Sequence, residues 1–232
     1  MFQPVGGYRF SVDSILLARF VSVRESDRVL ELGAGCGVIS LAIAALYRPS
    51  KIVAVEIQPA MAAMIRRSVE LNGMQSTIDV VEGDLRRIAD REVAADSTQA
   101  GKPVPQDFDV VVANPPYRAA NSGRESPEEG RRVARSETSA TLEDFVEAAA
   151  THLRTGGRAA FVFAADRSAE LISMLRHNRL EPKRIRFVHP AASKPATTVL
   201  IETRSGGGIE VTIEPPLIGP QFSGSVGFQP GS

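Results

Sequence analysis

Five short segments of this sequence are apolar and rich in strand-forming residues: RVLEL at 28–32, KIVAVEI at 51–57, TIDVVEG at 77–83, FDVVVAN at 108–114 and RAAFVFA at 158–164. Between them run VISLAIAALY (38–47), AMAAMIRRSVELN (60–72) and TLEDFVEAAATHLR (141–154), with apolar residues at helical spacing. Strands that alternate with helices imply a parallel sheet with right-handed helical crossovers. Continuously apolar strands such as DVVVA require that sheet to be covered on both faces. Beyond Gly156-Gly157 the pattern predicts a helix over 166–178. IRFVHP and TTVLIETR then read as a closing pair of strands.

At 232 residues and 43% hydrophobic content, one sizeable α/β domain is expected. Its predicted extent is residues 1–204, divided into an N-terminal helix or lid (1–27) and a core (28–204). A Gly/Pro-rich tail (205–232) follows and reads as loosely held. Ser11 followed by VDSILLARF predicts a capped amphipathic helix leading into the first strand. Residues 91–107 and 118–140 read as irregular insertions. Equal numbers of basic and acidic residues, 27 of each, leave any polyanion-binding surface to local clustering. The single Cys36 excludes an internal disulfide framework and fits a reducing compartment, so a cytoplasmic location is expected. The longest apolar run, VISLAIAAL at 38–46, is far short of the roughly 20 residues that span a bilayer. The sequence calls for neither a membrane association nor a metal. No obligate protein partner is evident.

Function-bearing residues cluster at the ends of the predicted strands. VLELGAGCGVISLA places Gly33, Gly35 and Gly37 between a strand and a helix, where backbone can approach a ligand closely. The dinucleotide fingerprint G-x-G-x-x-G would need a third glycine at position 38, which is Val38; the loop is G-x-G-x-G instead. Glu31 puts a carboxylate beside that turn, which disfavours a pyrophosphate and suits an ammonium or sulfonium. Glu56 ends the second strand, next to Ile57, where a carboxylate can accept both hydroxyls of a ribose. Asp84, next to Leu85, lies on the turn after the third strand and can accept from an adenine amino group. Each acid alone reads as an ordinary strand-end or capping residue; their order along successive strands is what carries the signal.

With ELGAGCG, Glu56 and Gly83-Asp84 in this order, the chain resembles the class I S-adenosylmethionine-dependent methyltransferases over roughly residues 5 to 204. The resemblance implies a Rossmann-like α/β fold with a seven-stranded, mostly parallel sheet, helices on both faces and an antiparallel closing strand. It also implies S-adenosylmethionine as cofactor, held by Glu31, Gly33, Gly35, Gly37, Glu56, Ile57, Asp84, Leu85 and Asn114.

The fourth strand ends in Asn114, Pro115, Pro116 and Tyr117, which resemble the NPPY motif of the amino-methylating branch. Two prolines make a rigid corner without amide donors, so its acceptors face outward. An exocyclic amine is a weak nucleophile because its lone pair is delocalised into the ring. Hydrogen bonds to the Asn114 side-chain oxygen and the Pro115 carbonyl would draw its nitrogen toward tetrahedral geometry. Tyr117 would offer a stacking face to a flipped base.

NPPY alone is shared with release-factor glutamine methyltransferases, and a similar motif occurs in guanine-N2 methyltransferases, so both remain alternatives. The flanks QPVGGYRFSVDSILLARF, ARSETSATLEDFVEAAATHLRTGGR and RIRFVHPAASKPATTVLIE resemble the tRNA adenine-N6 methyltransferases that act beside the anticodon of a valine tRNA. In that family the N-terminal segment lies over the cofactor, which makes Tyr8, Arg9, Phe10 and Asp13 candidates for a lid. This chain departs from the family after VHP, with Ala191 where a basic residue is frequent. Methylation of adenosine N6 in tRNA is the function expected. Two locally basic stretches are candidates for holding that RNA: Arg118, Arg131, Arg132 and Arg135 in the first, and Lys183, Arg184, Arg186, His189 and Lys194 in the second.

Overall fold

Hydrogen-bonded strands run through the middle of the chain, in a computed structural model that describes residues 12–88, 107–116 and 140–219. In chain order the elements are α1 (Val12–Phe20), β1 (Arg28–Leu32), α2 (Val38–Tyr47), β2 (Lys51–Glu56), α3 (Pro59–Leu71), β3 (Ile78–Glu82), β4 (Phe108–Ala113) and α4 (Leu142–His152). There follow β5 (Leu153–Ala164), a single 3-10 turn (Ala165–Arg167), α5 (Ser168–His177), β6 (Leu180–His189), β7 (Thr198–Ser205), β8 (Thr212–Ile213) and β9 (Leu217–Ile218).

The strands form one sheet in the order β3-β2-β1-β4-β5-β7-β6, with β8 and β9 both paired to β6. Strands β1 to β5 pair in parallel. Among the described strands, β7 alone runs against all of its neighbours, antiparallel to both β5 and β6. The expected seven-stranded sheet with a reversed closing strand is therefore present and is extended by two short strands. The chain builds β1, β2 and β3 outward in one direction, then returns to place β4 on the other side of β1. That reversal opens a crevice beyond the carboxyl ends of β1 and β4, the place where open α/β sheets take their ligands.

Two cores explain why the strands are apolar throughout. Leu30, Leu32, Val111, Phe161 and Phe163 face α4 and α5, which contribute Phe145, Val146, Leu171 and Leu175. Val29, Val110, Val112 and Val162 face α1, α2 and α3, which contribute Leu17, Ile43 and Ile65. Successive residues of β4 enter opposite cores, and Val110, Val111 and Val112 are all fully buried. Helix α4 starts at a capping box: Thr141 Oγ1 accepts from the Asp144 amide at 3.2 Å, and Asp144 accepts from the Thr141 amide at 2.6 Å. It stops two residues before the predicted end, because the chain turns extended at Leu153 and begins β5 there.

The tail corrects the sequence reading. Residues 205–218 are not loosely held: β8 pairs in parallel with Arg184 and Ile185, and β9 with Val188 and His189. Side chains of β6 fasten this segment. Lys183 Nζ donates to the carbonyls of Gly208 and Glu210, Arg184 Nε to Glu214 at 2.6 Å, and Arg186 Nε to the Pro215 carbonyl at 2.9 Å. Arg184 also reaches the other way. Its Nη1 donates to the Phe20 carbonyl (3.1 Å), Ser22 Oγ (2.9 Å) and the buried Glu202 (3.2 Å), while its guanidinium lies 4.5 Å above the Phe20 ring.

Glu202 also accepts from the Ser22 amide at 2.6 Å, so one arginine joins the end of α1, strand β7 and the tail. Removing it would leave Glu202 buried without its cation. Arg184→Ala should cost about 1–3 kcal/mol in urea denaturation and release the tail to protease. An unchanged denaturation midpoint would contradict the linking role.

Candidate functional site

The loop after β1 takes its shape from three residues in the left-handed region: Gly33 (φ 65°), Gly35 (φ 56°) and Gly37 (φ 77°). Two of them are also pressed against the core. A Cβ on Gly33 would meet the Phe145 ring at 3.0 Å, and one on Gly37 would meet Ile65 at 2.9 Å. Among the described residues, nothing lies within 4 Å of the corresponding point on Gly35. The loop is thus clamped at its ends and open in the middle, as a cradle for a ligand must be.

Two buried carboxylates hold the loop and the start of the helix after it. Glu56, 3% exposed, accepts from the Gly35 amide at 2.7 Å and from the Gln58 amide at 2.9 Å, one bond on each oxygen. A carboxylate has about four acceptor sites, so two remain for ribose hydroxyls. Glu31, 1% exposed, accepts from the Ser40 amide at 2.9 Å and from the Ser40 hydroxyl. Ser40 lies in the first turn of α2, whose N-cap Gly37 has no side chain, and Glu31 takes over the capping. Burial pushes the Glu31 carboxyl up to about 7; the two Ser40 hydrogen bonds oppose the rise and the Glu56 charge adds to it.

Around this centre stand the other sequence-predicted residues. Ile57 is 40% exposed beside Glu56, an apolar surface at the strand end. The turn after β3 is tied back by the Gly83 amide, which donates to the Glu56 carbonyl at 3.0 Å. Asp84 on that turn accepts from Arg86 Nε at 2.9 Å and from its amide at 3.0 Å, and these contacts hold its carboxyl below the usual range. Leu85 is buried. Cys36 is also buried, and that burial pushes its thiol up, which suits packing and not nucleophilic chemistry.

Asn114 is half-buried where β4 ends, followed by buried Pro115 and exposed Pro116. Its amide nitrogen donates to Ser14 Oγ on α1 at 3.3 Å. Ser14 is a contact that the sequence reading missed. Ser14 lies three and four residues before Leu17 and Ala18, on the buried face of α1, a spacing that places it on that face without naming its partner. Tyr117, Arg118, Arg131, Arg132 and Arg135, with the lid candidates Tyr8, Arg9 and Phe10, lie outside the described residues. Asp13 accepts from Thr198 Oγ1 at 3.2 Å, which fastens the start of α1 to the start of β7.

The second basic stretch divides. Strand β6 runs toward the crevice, so His189 and Lys194 lie at that end, while Arg176, Arg179, Lys183 and Arg204 lie at the opposite end of the sheet. Of the second set of RNA-holding candidates, His189 and Lys194 therefore border the crevice and Lys183 does not. Lys183 and Arg186 donate to the tail, and Arg184 divides its donors among the tail, Glu202 and the end of α1. His189 Nδ1 is 2.8 Å from the Lys194 carbonyl, and Lys194 itself is exposed.

A profile of the TRM5/TYW2 methyltransferase domain matches residues 16–108. Among solved structures, a predicted O-methyltransferase from Agrobacterium tumefaciens superposes with a TM-score of 0.68 at 26% identity, over 89% of this chain and 86% of the other. In sequence and in fold the chain is similar to the Rossmann-like, S-adenosylmethionine-dependent methyltransferases. Curated relatives of this methyltransferase carry the name tRNA1(Val) (adenine(37)-N6)-methyltransferase. The protein of that name from Aliivibrio fischeri is 25% identical over 84% of this chain and 77% of its own length. The one from Haemophilus influenzae is 30% identical over 71% of this chain and 65% of its own length. A geranyl diphosphate methyltransferase in complex with its methyl donor has the same fold, with a TM-score of 0.58 at 14% identity.

Because its charged form is disfavoured by burial, Glu31 contributes most to stability below its ordinary value of 4.5, and that contribution is lost as the pH rises toward about 7. In Glu31→Gln the denaturation midpoint should vary less between roughly pH 5 and 7 than in the parent. Parallel pH profiles for the two proteins would rule out Glu31 as the titrating group.

Proposed function

We propose that this methyltransferase methylates N6 of an adenosine in tRNA, beside the anticodon of a valine tRNA. The observation that carries this reading is the Asn114 carboxamide, standing at the crevice next to the glycine loop with its nitrogen engaged by Ser14. That arrangement leaves the amide oxygen to accept from an amine. The names of the relatives supply the substrate class.

The open centre of the loop at Gly35 and the remaining acceptor sites of Glu56 fit the cofactor. Bound S-adenosylmethionine supplies an electrophilic methyl group on a sulfonium. Gly33, Gly35 and Gly37 would let the backbone approach it, Glu56 would take its ribose hydroxyls, and Asp84 its adenine amine. Ile57 and Leu85 would flank the ring. Glu31 would act through α2 and the loop. Its raised carboxyl would also gain charge beside an approaching cation.

Toward the substrate, the Asn114 oxygen and the Pro115 carbonyl would each accept one N–H of the adenine amine. Both acceptors are neutral, so they polarise the nitrogen without binding a proton of their own, and the proton that the amine loses once it is methylated would pass to solvent. Rigid prolines fix their spacing before the substrate arrives, and the remaining contribution is alignment. Tyr117 would stack on the base, with His189, Lys194 and the arginines at 118, 131, 132 and 135 holding RNA phosphate.

The test is incubation with labelled S-adenosylmethionine and total tRNA, followed by nucleoside analysis. Label should appear as N6-methyladenosine, and label in N2-methylguanosine or in a protein glutamine would replace this reading. Asn114→Ala should lower turnover by about 10²–10³, a loss well beyond any weakening of cofactor binding measured by calorimetry. Retention of most of the turnover would remove Asn114 from the chemistry.

A further inference from the structure

Helix α1 is bolted to the sheet at both ends. At its start Asp13 accepts from Thr198 Oγ1 at 3.2 Å, next to the carboxyl end of β5, because Thr198 pairs with Ala164. Beyond its end, the Ser22 amide and hydroxyl donate to the two oxygens of Glu202 at 2.6 and 3.1 Å, and Arg184 caps the Phe20 carbonyl. Leu16, Leu17, Ala18 and Phe20 of this helix are buried against the sheet. A residue in the first turn of α1 therefore has a fixed position relative to the end of β4.

Ser14 is that residue. It is 7% exposed, on the face that otherwise carries leucine, alanine and phenylalanine. A buried hydroxyl there costs free energy unless it is hydrogen-bonded, and among the described residues its partner is the Asn114 amide nitrogen at 3.3 Å. The consequence is chemical. A carboxamide has an acceptor end and a donor end of nearly the same shape, and rotation by half a turn exchanges them. Turned the wrong way, Asn114 would meet the N–H groups of an amine with its own N–H groups.

We infer that Ser14 is a positioning residue for methyl transfer, which holds the Asn114 carboxamide with its nitrogen toward α1 and its oxygen toward the amine. This rests on the amine-orienting reading of Asn114. It goes beyond that reading by assigning the orientation of the amide to a helix that precedes the sheet, 100 residues away in sequence. Asp13 and Thr198 act one step further out, fixing the turn on which Ser14 lies.

A double-mutant cycle tests it, read by single-turnover transfer to tRNA together with calorimetric cofactor binding and a thermal melt. Ser14→Ala should slow transfer by about 5–20-fold, with KM for tRNA and cofactor affinity each within about twofold of the parent. In an Asn114→Ala background, where no carboxamide remains to orient, the same substitution should change the rate by less than about twofold. Equal losses in the two backgrounds would overturn the inference, since Ser14 would then act by another route. An unchanged rate in Ser14→Ala, alongside a severely slowed Asn114→Ala, would overturn it while leaving Asn114 in place. If Asn114→Ala itself transfers at the parental rate, the reading beneath the inference fails and the inference falls with it.

Discussion

Two buried carboxylates, one tied to the glycine loop and one to the first turn of the helix that follows it, set the geometry on which the rest of this site depends. Glu56 takes the amide of Gly35, and Glu31 takes the amide and hydroxyl of Ser40 across the first turn of α2. Without Glu56 the Gly35 amide would lose its side-chain acceptor at the crevice, while the Ala34 and Gly37 amides would keep their backbone partners. Both acids lie in one electrostatic neighbourhood, and a second negative charge there is costly. Burial and the Glu56 charge both raise Glu31, to about 7. The site therefore tends to hold a proton that an arriving cation would displace.

The sheet order brings the two halves of the site together. Strand β1 lies between β2 and β4, so the glycine loop and Asn114 leave adjacent strands at the same end. Helix α1 closes that end from outside the sheet. Its position depends on Glu202 and Arg184, and through Arg184 on Glu214 in the tail. Stability and site geometry share these contacts. A tail that looks dispensable in sequence is joined by one guanidinium to the helix that touches Asn114.

Much of this was legible in the residues. Helix α2 and strand β1 fall where the apolar pattern puts them, because a strand covered on both faces and a helix on a core leave different periodicities. The order of Glu31, Glu56, Asp84 and Asn114 along successive strand ends was readable for the same topological reason. The tail was not. Its Gly and Pro content reads as loop, and only the free edge of β6 turns residues 212–213 and 217–218 into strands. Charge was readable in sign but not in partner. Lys183, Arg184 and Arg186 look like a phosphate-binding run until their carbonyl and carboxylate acceptors, from a segment some thirty residues later, are in view. Ser14 went unread because a lone serine in an apolar helix carries no indication of what it faces.

The central claim is that the glycine loop, held by Glu56, is the seat of the cofactor, and calorimetry of S-adenosylmethionine binding to Glu56→Gln tests it most directly. Glutamine keeps the shape of the side chain but removes the charge and half of its acceptors. The account predicts affinity at least about 10-fold weaker, with the thermal melt showing a folded protein. Parental affinity in a folded Glu56→Gln protein would contradict it.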